Sequence, residues 1–350
     1  MSMDRASCVA SPAARGLEWR DGVTEPRQIE PGRTLMVTTR TFRRTFFLTP
    51  SSTVNDVMQY VIGYACRKHG VGLVSAVVLS NHMHLLVNDH LGNAPEFVQT
   101  VNSLVARALN AKRGEHGGMF ARDNVDLKLV CGRAEAITAI AYIGANPVAA
   151  ACVEHGRDWP GLRSQPRQLA RTDLEVSRPT FFMAHRDLGY RGRLPEKVEL
   201  RYELPLCVAE ADRGLFVHDA EVALSAAEDK ARQDVRAAGK TFLGAARCRN
   251  VDHLRTAKSW EPHGPNTGPS PFLVHDEAEE KRLLEELQLF LQAYALAYAR
   301  FKAGDTTVTF PRGTYRLVRS FGAHVAPLGP AVGVAVPVIA GLLPAPPPFT

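Results

Sequence analysis

The stretch from Leu73 to Val87 constrains the fold more than any other part of the sequence. Leu73 to Leu79 is a continuous run, apolar but for Ser75, which predicts a central strand of a sheet. Ser80-Asn81 makes a turn, and His82 to Val87 reads as the antiparallel partner. The flanking sequence supplies the rest of a sandwich. Leu35 to Leu48 is rich in Val, Thr and Phe and predicts a strand or a bent strand pair. Thr53-Val54-Asn55-Asp56 resembles a capping box, and Val57, Met58, Val61, Ile62 and Ala65 keep helical spacing up to Gly70. A second helix starts near Pro95, carries Phe97, Val101, Leu104, Val105, Ala108 and Leu109 on one face, and ends at Gly114. A strand from Asp126 to Val130 and a helix from Ala134 to about Asn146 follow. The order implies an α+β fold: an antiparallel sheet with helices in a split βαβ arrangement.

Residues 1–32 are polar, contain Pro12, Pro26 and Pro31, and predict a disordered lead-in with no apolar segment of signal-peptide type. The core domain is expected over 33–160. Residues 161–320 are expected to form a mixed, mainly helical C-terminal accessory region. Within it, Leu200 to Phe216 predicts a strand, Glu221 to Ala238 and Glu277 to Phe301 predict helices, and Thr306 to Val318 alternates like a hairpin. Arg163 to Arg178 shows no period. Residues 321–350 are a Pro/Ala/Gly/Val-rich tail. Val325 to Leu343 is uncharged, but three interior prolines, each costing about 3 kcal/mol in a helix, argue against a membrane span. The six cysteines stand far apart with no C-x-x-C, which disfavours a disulfide framework or zinc ribbon and suits a reducing, cytoplasmic compartment.

His82 and His84 are two residues apart on a strand, so both imidazoles emerge on one face. Two neighbouring imidazoles are half of a divalent-metal site, although a His-x-His alone is more often a half-buried pair on a sheet. A second constellation, Tyr142-Ile143-Gly144-Ala145-Asn146-Pro147-Val148, puts Tyr142 and Asn146 on one helix face. An Asn oxygen can serve as a third ligand, with the phenol one turn away as nucleophile.

These two blocks together resemble the REP-associated tyrosine transposases, single-tyrosine members of the HUH endonuclease superfamily. The likeness rests on Ser80-Asn81-His82-Met83-His84-Leu85-Leu86-Val87, on Tyr142 to Val148 about 60 residues later, and on Arg43-Arg44-Thr45-Phe46-Phe47. It covers roughly Thr34 to Trp159. Ser80 stands where the family usually has Pro, Gly118 to Arg122 replaces a segment that usually carries a Trp-Gln pair, and Gly144 and Ala145 replace an acidic and a bulky residue. The resemblance implies metal-dependent cleavage and rejoining of single-stranded DNA, including hairpins, by a nucleoid-associated monomer or homodimer with no membrane partner. It implies Tyr142 as the nucleophile forming a 5′-phosphotyrosine, and His82, His84 and Asn146 as ligands of Mg²⁺ or Mn²⁺.

The net charge of +6 is compatible with a nucleic-acid partner. Residues 33–160 hold 13 Lys and Arg against 9 Asp and Glu, and Arg43, Arg44, Lys112, Arg113 and Arg122 are the chosen candidates for phosphate contacts. Tyr294 and Tyr298, and Tyr60 and Tyr64, also show i, i+4 spacing, for which packing is the plainer account. Two other functions remain open from the residues: a DNA-binding protein that kept the fold and lost strand transfer, and a metal-dependent hydrolase that uses water.

Overall fold

A computed structural model describes residues 26–170, 173–182, 194–257 and 270–327, with the side chains of 122–124 outside that description. These residues fall into two compact units, 31–257 with 271–275, and 26–30 with 270 and 276–327. The expected lead-in up to residue 25 and the tail from residue 328 lie outside the described residues. Among those described, no helix is long and apolar enough to cross a membrane.

In the larger unit the chain runs β1 (Arg33–Thr41), α1 (Ser52–His69), β2 (Val71–Val78), β3 (His82–Asp89), α2 (Ala94–Arg113), β4 (Phe120–Val130) and α3 (Arg133–Ala149). It continues through β5 (Asp173–Ser177), β6 (Lys197–Arg201), α4 (Arg213–Ala237) and α5 (Ala245–Arg249) to β7 (Phe272–Leu273). The main sheet has the order β2-β3-β1-β4-β7. All its pairs are antiparallel except β4 with β7. The fold is thus α+β on a mainly antiparallel sheet, as the element order implied.

Every residue of β2 is buried, because α1 and α3 both pack on it. The first helix is capped two residues earlier than the sequence suggests: Ser51 Oγ accepts from the Val54 amide at 3.1 Å, and the helix stops at Gly70, whose φ of 63° suits glycine. Its apolar stripe enters the core beside the fully buried Phe97 and Leu104 of α2.

The structure corrects several expectations. The fourth strand begins at Phe120, not Asp126, and α3 continues past Asn146 through Pro147. The expected strand over Leu200–Phe216 is confined to β6, which ends at Arg201, and α4 already begins at Arg213. The aperiodic Arg163–Arg178 segment contains β5, which pairs with β6, and both pack on α1. The described residues of 161–257 share one compact unit with the core.

Arg163 shows what ties this later segment to the core. Its Nε donates to the Gly144 carbonyl at 2.7 Å, and its Nη2 pairs with Glu228 of α4 at 2.6 Å; the two side chains are 7% and 14% exposed. Glu228→Gln leaves a buried guanidinium without its counter-charge and is expected to destabilise the larger unit by roughly 3–5 kcal/mol. A urea melt compared with wild type checks this.

The smaller unit holds α6 (Glu277–Lys302), β8 (Thr309–Phe310), α7 (Arg316–Phe321) and β9 (His324–Val325). Asp276 caps α6 by accepting from the Glu279 amide at 2.8 Å. Phe290, Tyr294 and Ala297 of α6 form a core with Val308, Phe310, Leu317 and Ala323. The hairpin expected over Thr306–Val318 does not form: β8 pairs in parallel with β9, and Arg316 and Arg319 lie on α7. Pro311 has no amide hydrogen to donate, and Gly313 takes a φ of 88°, so an extended run is broken there.

Candidate functional site

Strand alternation puts His82 and His84 on one face of the sheet and the buried Met83 and Leu85 on the other. Across the ladder, β1 sets Arg40 opposite His82 and Thr38 opposite His84, on that same face. The two imidazoles stand edge to face, with ring centroids 5.0 Å apart. Helix α3 packs on β2, β3 and β4 and brings its own pair of residues to this face. Asn146 Oδ1 lies 3.3 Å from His82 Nε2, and the Tyr142 ring meets the His84 ring at 5.3 Å. His84 and Asn146 are buried, whereas Tyr142 is 50% exposed. The structure thus brings together His82, His84, Tyr142 and Asn146.

Gly144 has a packing reason. A Cβ there would lie 2.6 Å from a methyl of Leu224, so glycine lets α4 approach α3 behind the site.

The protons show what the cluster can hold. His82 Nδ1 lies 2.7 Å from Asn81 Oδ1, a carbonyl that only accepts, so Nδ1 carries the hydrogen and Nε2 a lone pair. That lone pair faces another acceptor, Asn146 Oδ1. Two acceptors 3.3 Å apart are mismatched with each other and matched to a cation. Neighbouring ligands about 2.0–2.2 Å from an ion sit about 3 Å apart, close to the spacing found. His84 Nδ1 is likewise engaged, by Thr38 Oγ1 at 2.9 Å; when that hydroxyl accepts, Nε2 is left with its lone pair. Fixing one ring nitrogen and presenting the other is how outer partners orient metal-binding histidines. Among the described residues no group of three His, Cys, Asp or Glu is placed to hold a metal; the further acceptor beside these two rings is Asn146 Oδ1.

Burial pushes the His82 imidazole down to about 4, with Arg40 and Arg44 adding to the effect against the Asn146 contact. Burial, then His82 and Arg40, take His84 to about 3. Both rings are neutral near pH 7, the form a metal requires. In the unfolded chain the same rings take up protons near 6.5, so between 6.5 and about 4 the unfolded state binds more protons than the folded one. Metal-free protein is therefore expected to keep this stability above pH 6.5 and to lose it as pH falls through that window. Urea midpoints between pH 7 and 4 should show the decline, and a His82→Gln, His84→Gln double variant should show less of it.

Arg43 and Arg44 follow β1 in a tight turn, with left-handed φ of 52° and 54°. Such conformations cost non-glycine residues roughly 1–2 kcal/mol each. Hydrogen bonds to the backbone of the turn offset the cost: Thr41 Oγ1 donates to the Thr45 carbonyl at 2.6 Å, and the Ala257 amide donates to the Arg44 carbonyl at 3.2 Å. The Thr41 amide also donates to the Asn81 carbonyl at 2.9 Å, joining this turn to the one before His82. Arg43 is exposed, its guanidinium 5.1 Å from the Phe42 ring centroid. Lys112 is exposed near Phe181, 5.1 Å from the ring centroid. Arg113 donates to the Phe47 carbonyl at 2.8 Å, a bond that holds the chain after the Arg43-Arg44 turn. The Arg122 side chain lies outside the described residues.

The other tyrosine pairs pack. Tyr294 is buried and stacked with Tyr298 in the core of the smaller unit, and Tyr60 donates to the Pro195 carbonyl at 2.6 Å. Sequence patterns missed Thr38 and Asn81, the partners of the two imidazoles. Thr38 is visible only once the register of β1 against β3 is known, while Asn81 adjoins His82 and its turn-forming role masks the bond it makes to that ring.

No protein-family model matches the chain, and a search of curated proteins finds no match. Among solved structures, the chain is similar to a REP-associated tyrosine transposase bound to a REP hairpin, at 18% sequence identity and a TM-score of 0.35. The similarity covers 49% of this chain and 99% of that one.

Proposed function

We propose that this protein cleaves and rejoins single-stranded DNA, with Tyr142 as nucleophile and with His82, His84 and Asn146 as ligands of Mg²⁺ or Mn²⁺. The observation that carries this is the pairing of two acceptors, His82 Nε2 and Asn146 Oδ1 at 3.3 Å, beside a half-exposed tyrosine packed on His84. The order β2-β3-β1-β4, with β3 antiparallel between β1 and β2, supports a split βαβ, ferredoxin-like reading of the core. The sequence motifs supply the family.

A bound divalent ion would polarise the scissile phosphate and offset its charge. The chain's own groups do the rest. Asn81 and Thr38 hold the two imidazoles with Nε2 presented. Arg40 and Arg44 add positive potential beside His82, and the exposed Arg43 extends it, which favours a phosphate chain over a neutral substrate. Tyr142 Oη attacks phosphorus, an O–P bond to the 5′ phosphate forms, and the P–O3′ bond breaks to give a 3′ hydroxyl. Reversal by another 3′ hydroxyl joins strands.

The test uses 3′-end-labelled single-stranded DNA, including hairpin-forming sequences, incubated with the full chain and Mn²⁺. A labelled protein band that survives denaturation and disappears with chelator is the expected result. Cleavage without that band would assign the attack to water, and binding without cleavage would leave a DNA-binding protein.

A further inference from the structure

We infer that Phe42 is a stacking platform for an unpaired base of the bound DNA strand, with Arg43 and Arg255 beside it for the flanking phosphates. This rests on the reading of the chain as one that acts on single-stranded DNA, and it names where a base of that strand is held.

Three short stretches meet at Phe42. Its amide donates to the Met119 carbonyl at 2.9 Å, just before β4. Its carbonyl accepts from the Thr45 amide at 3.1 Å, which closes the turn whose tip is Arg43 and Arg44. Thr45 in turn bridges to Thr256, and the Phe46 amide donates to the Arg255 carbonyl at 2.7 Å. Arg255, from the far side of the larger unit's sequence, is thereby fixed beside the turn. The ion site adjoins it. Arg40, two residues before Phe42, stands opposite His82 in the ladder. The Thr41 amide donates to the carbonyl of Asn81, whose Oδ1 holds His82 Nδ1. A strand with one phosphate at the His82 site therefore has neighbouring nucleotides within reach of this turn.

What the turn presents is a flat apolar ring among cations. The nearby rings of Phe47 and Phe120 pack against the core, whereas Phe42 is 46% exposed. The Arg43 guanidinium lies over the Phe42 ring, and Arg43 and Arg255 are both exposed. Stacking an unpaired base on the ring removes two apolar faces from water, and the guanidinium adds cation–π attraction. In a duplex both faces of a base are taken by its neighbours, so such a platform selects unpaired nucleotides.

The backbone points the same way. Turns with left-handed φ at both central residues are ordinarily built from Asn and Gly, which adopt it with little strain. Arginine at both positions keeps the strain and gains two cations, and strain retained in this way is a mark of ligand clamps. A lone exposed phenylalanine calls for no explanation. This one stands on a strained arginine turn that is bonded to the turn before His82.

The test measures the affinity of the full chain, by fluorescence anisotropy in buffer with chelator, for an oligothymidine and for an abasic backbone of equal length. The two share their phosphates and differ in their bases. Wild type is expected to bind the oligothymidine more tightly. Phe42→Ala should weaken oligothymidine binding by about 5–150-fold, the span for one base on one aromatic ring, and leave the abasic affinity unchanged. Phe42→Trp, which keeps a flat ring, should hold the wild-type preference. Arg255→Ala should weaken both oligonucleotides alike and flatten the salt dependence, as loss of a phosphate contact does. Equal affinity of wild type for the two, an equal loss for both in Phe42→Ala, or a lost preference in Phe42→Trp overturns the platform. An Arg255→Ala protein that binds as wild type does removes Arg255 from it. The adduct assay on wild type is read separately. An adduct without a base preference leaves the cleavage reading standing and overturns the platform, and a Phe42-dependent preference without an adduct does the reverse.

Discussion

Replacing Tyr142 by phenylalanine is expected to abolish the covalent protein–DNA product while leaving the fold and the ion site intact. The substitution removes one oxygen and keeps the ring, so the edge-to-face contact with His84 at 5.3 Å survives. It does not touch Asn146, one turn along on the same helix, nor the Arg163 bond to the Gly144 carbonyl that braces this part of α3. Half of the side chain is exposed, so the stability change should stay within about 0.5–1.5 kcal/mol, the ordinary worth of one hydroxyl hydrogen bond. Chemistry should respond on a different scale, because without Oη there is no atom to bond phosphorus. A denaturing gel reads the adduct, and a thermal melt with and without Mn²⁺ reads fold and ion. If Tyr142→Phe kept the adduct, the nucleophile would be another group. Tyr294 would be a poor substitute, since its ring is buried among Phe290, Tyr298 and Phe310.

The contrast between local and distant signals explains what the sequence could tell about this site. His82 and His84 announce a shared face because strand geometry has a period of two, and Tyr142 and Asn146 do so because a helix repeats every 3.6 residues. The strand over Leu73–Leu79 lies at the edge of the sheet and not at its centre; burial by the helices, not a central place, explains its apolar run. It was legible because β2 is buried along its whole length and is apolar but for Ser75. Elements held by partners rather than by their own pattern were not. Strand β7 is two residues long, with no period to detect, and exists because β4 offers an open edge. Strand β5 buries only Val176, too little for a period to show, and the short β6 buries Val198 and Leu200. Conversely, Thr306–Val318 alternates convincingly, yet Pro311 and Gly313 override that signal. The Thr38 contact with His84 follows the same rule: it is a relation between distant positions, set by the register of β1 against β3. Gly144, a helix weakener in isolation, has its reason in Leu224, 80 residues away.

His82→Ala is expected to remove both ion binding and cleavage, and to spare most of the affinity for DNA. His82 touches three other groups: its Nδ1 is held by Asn81, its Nε2 faces Asn146, and its ring lies against His84. Alanine leaves one imidazole and one amide oxygen, too few strong donors to outcompete water for Mg²⁺ or Mn²⁺. Loss of an outer-shell partner alone commonly costs 10–100-fold in metal affinity, so loss of a ligand should cost more than about 100-fold. DNA affinity has a separate source. It would come from cations facing phosphates, with Arg43 exposed on its strained turn and Arg40 and Arg44 close enough to His82 to depress its protonation. None of these loses a side chain in the variant. Mn²⁺ titration followed by electron paramagnetic resonance should show the lost site, and fluorescence anisotropy with labelled single-stranded DNA should show binding that still weakens with added salt. The sign of a second comparison is equally definite. Because burial keeps His82 neutral down to about pH 4, taking it away removes no positive charge at pH 7, so a large drop in DNA affinity cannot be assigned to electrostatics. Such a drop, in a variant that melts like wild type and in buffer with chelator, would mean that the DNA backbone is held by the histidine site itself and would overturn the separation of gripping from cutting.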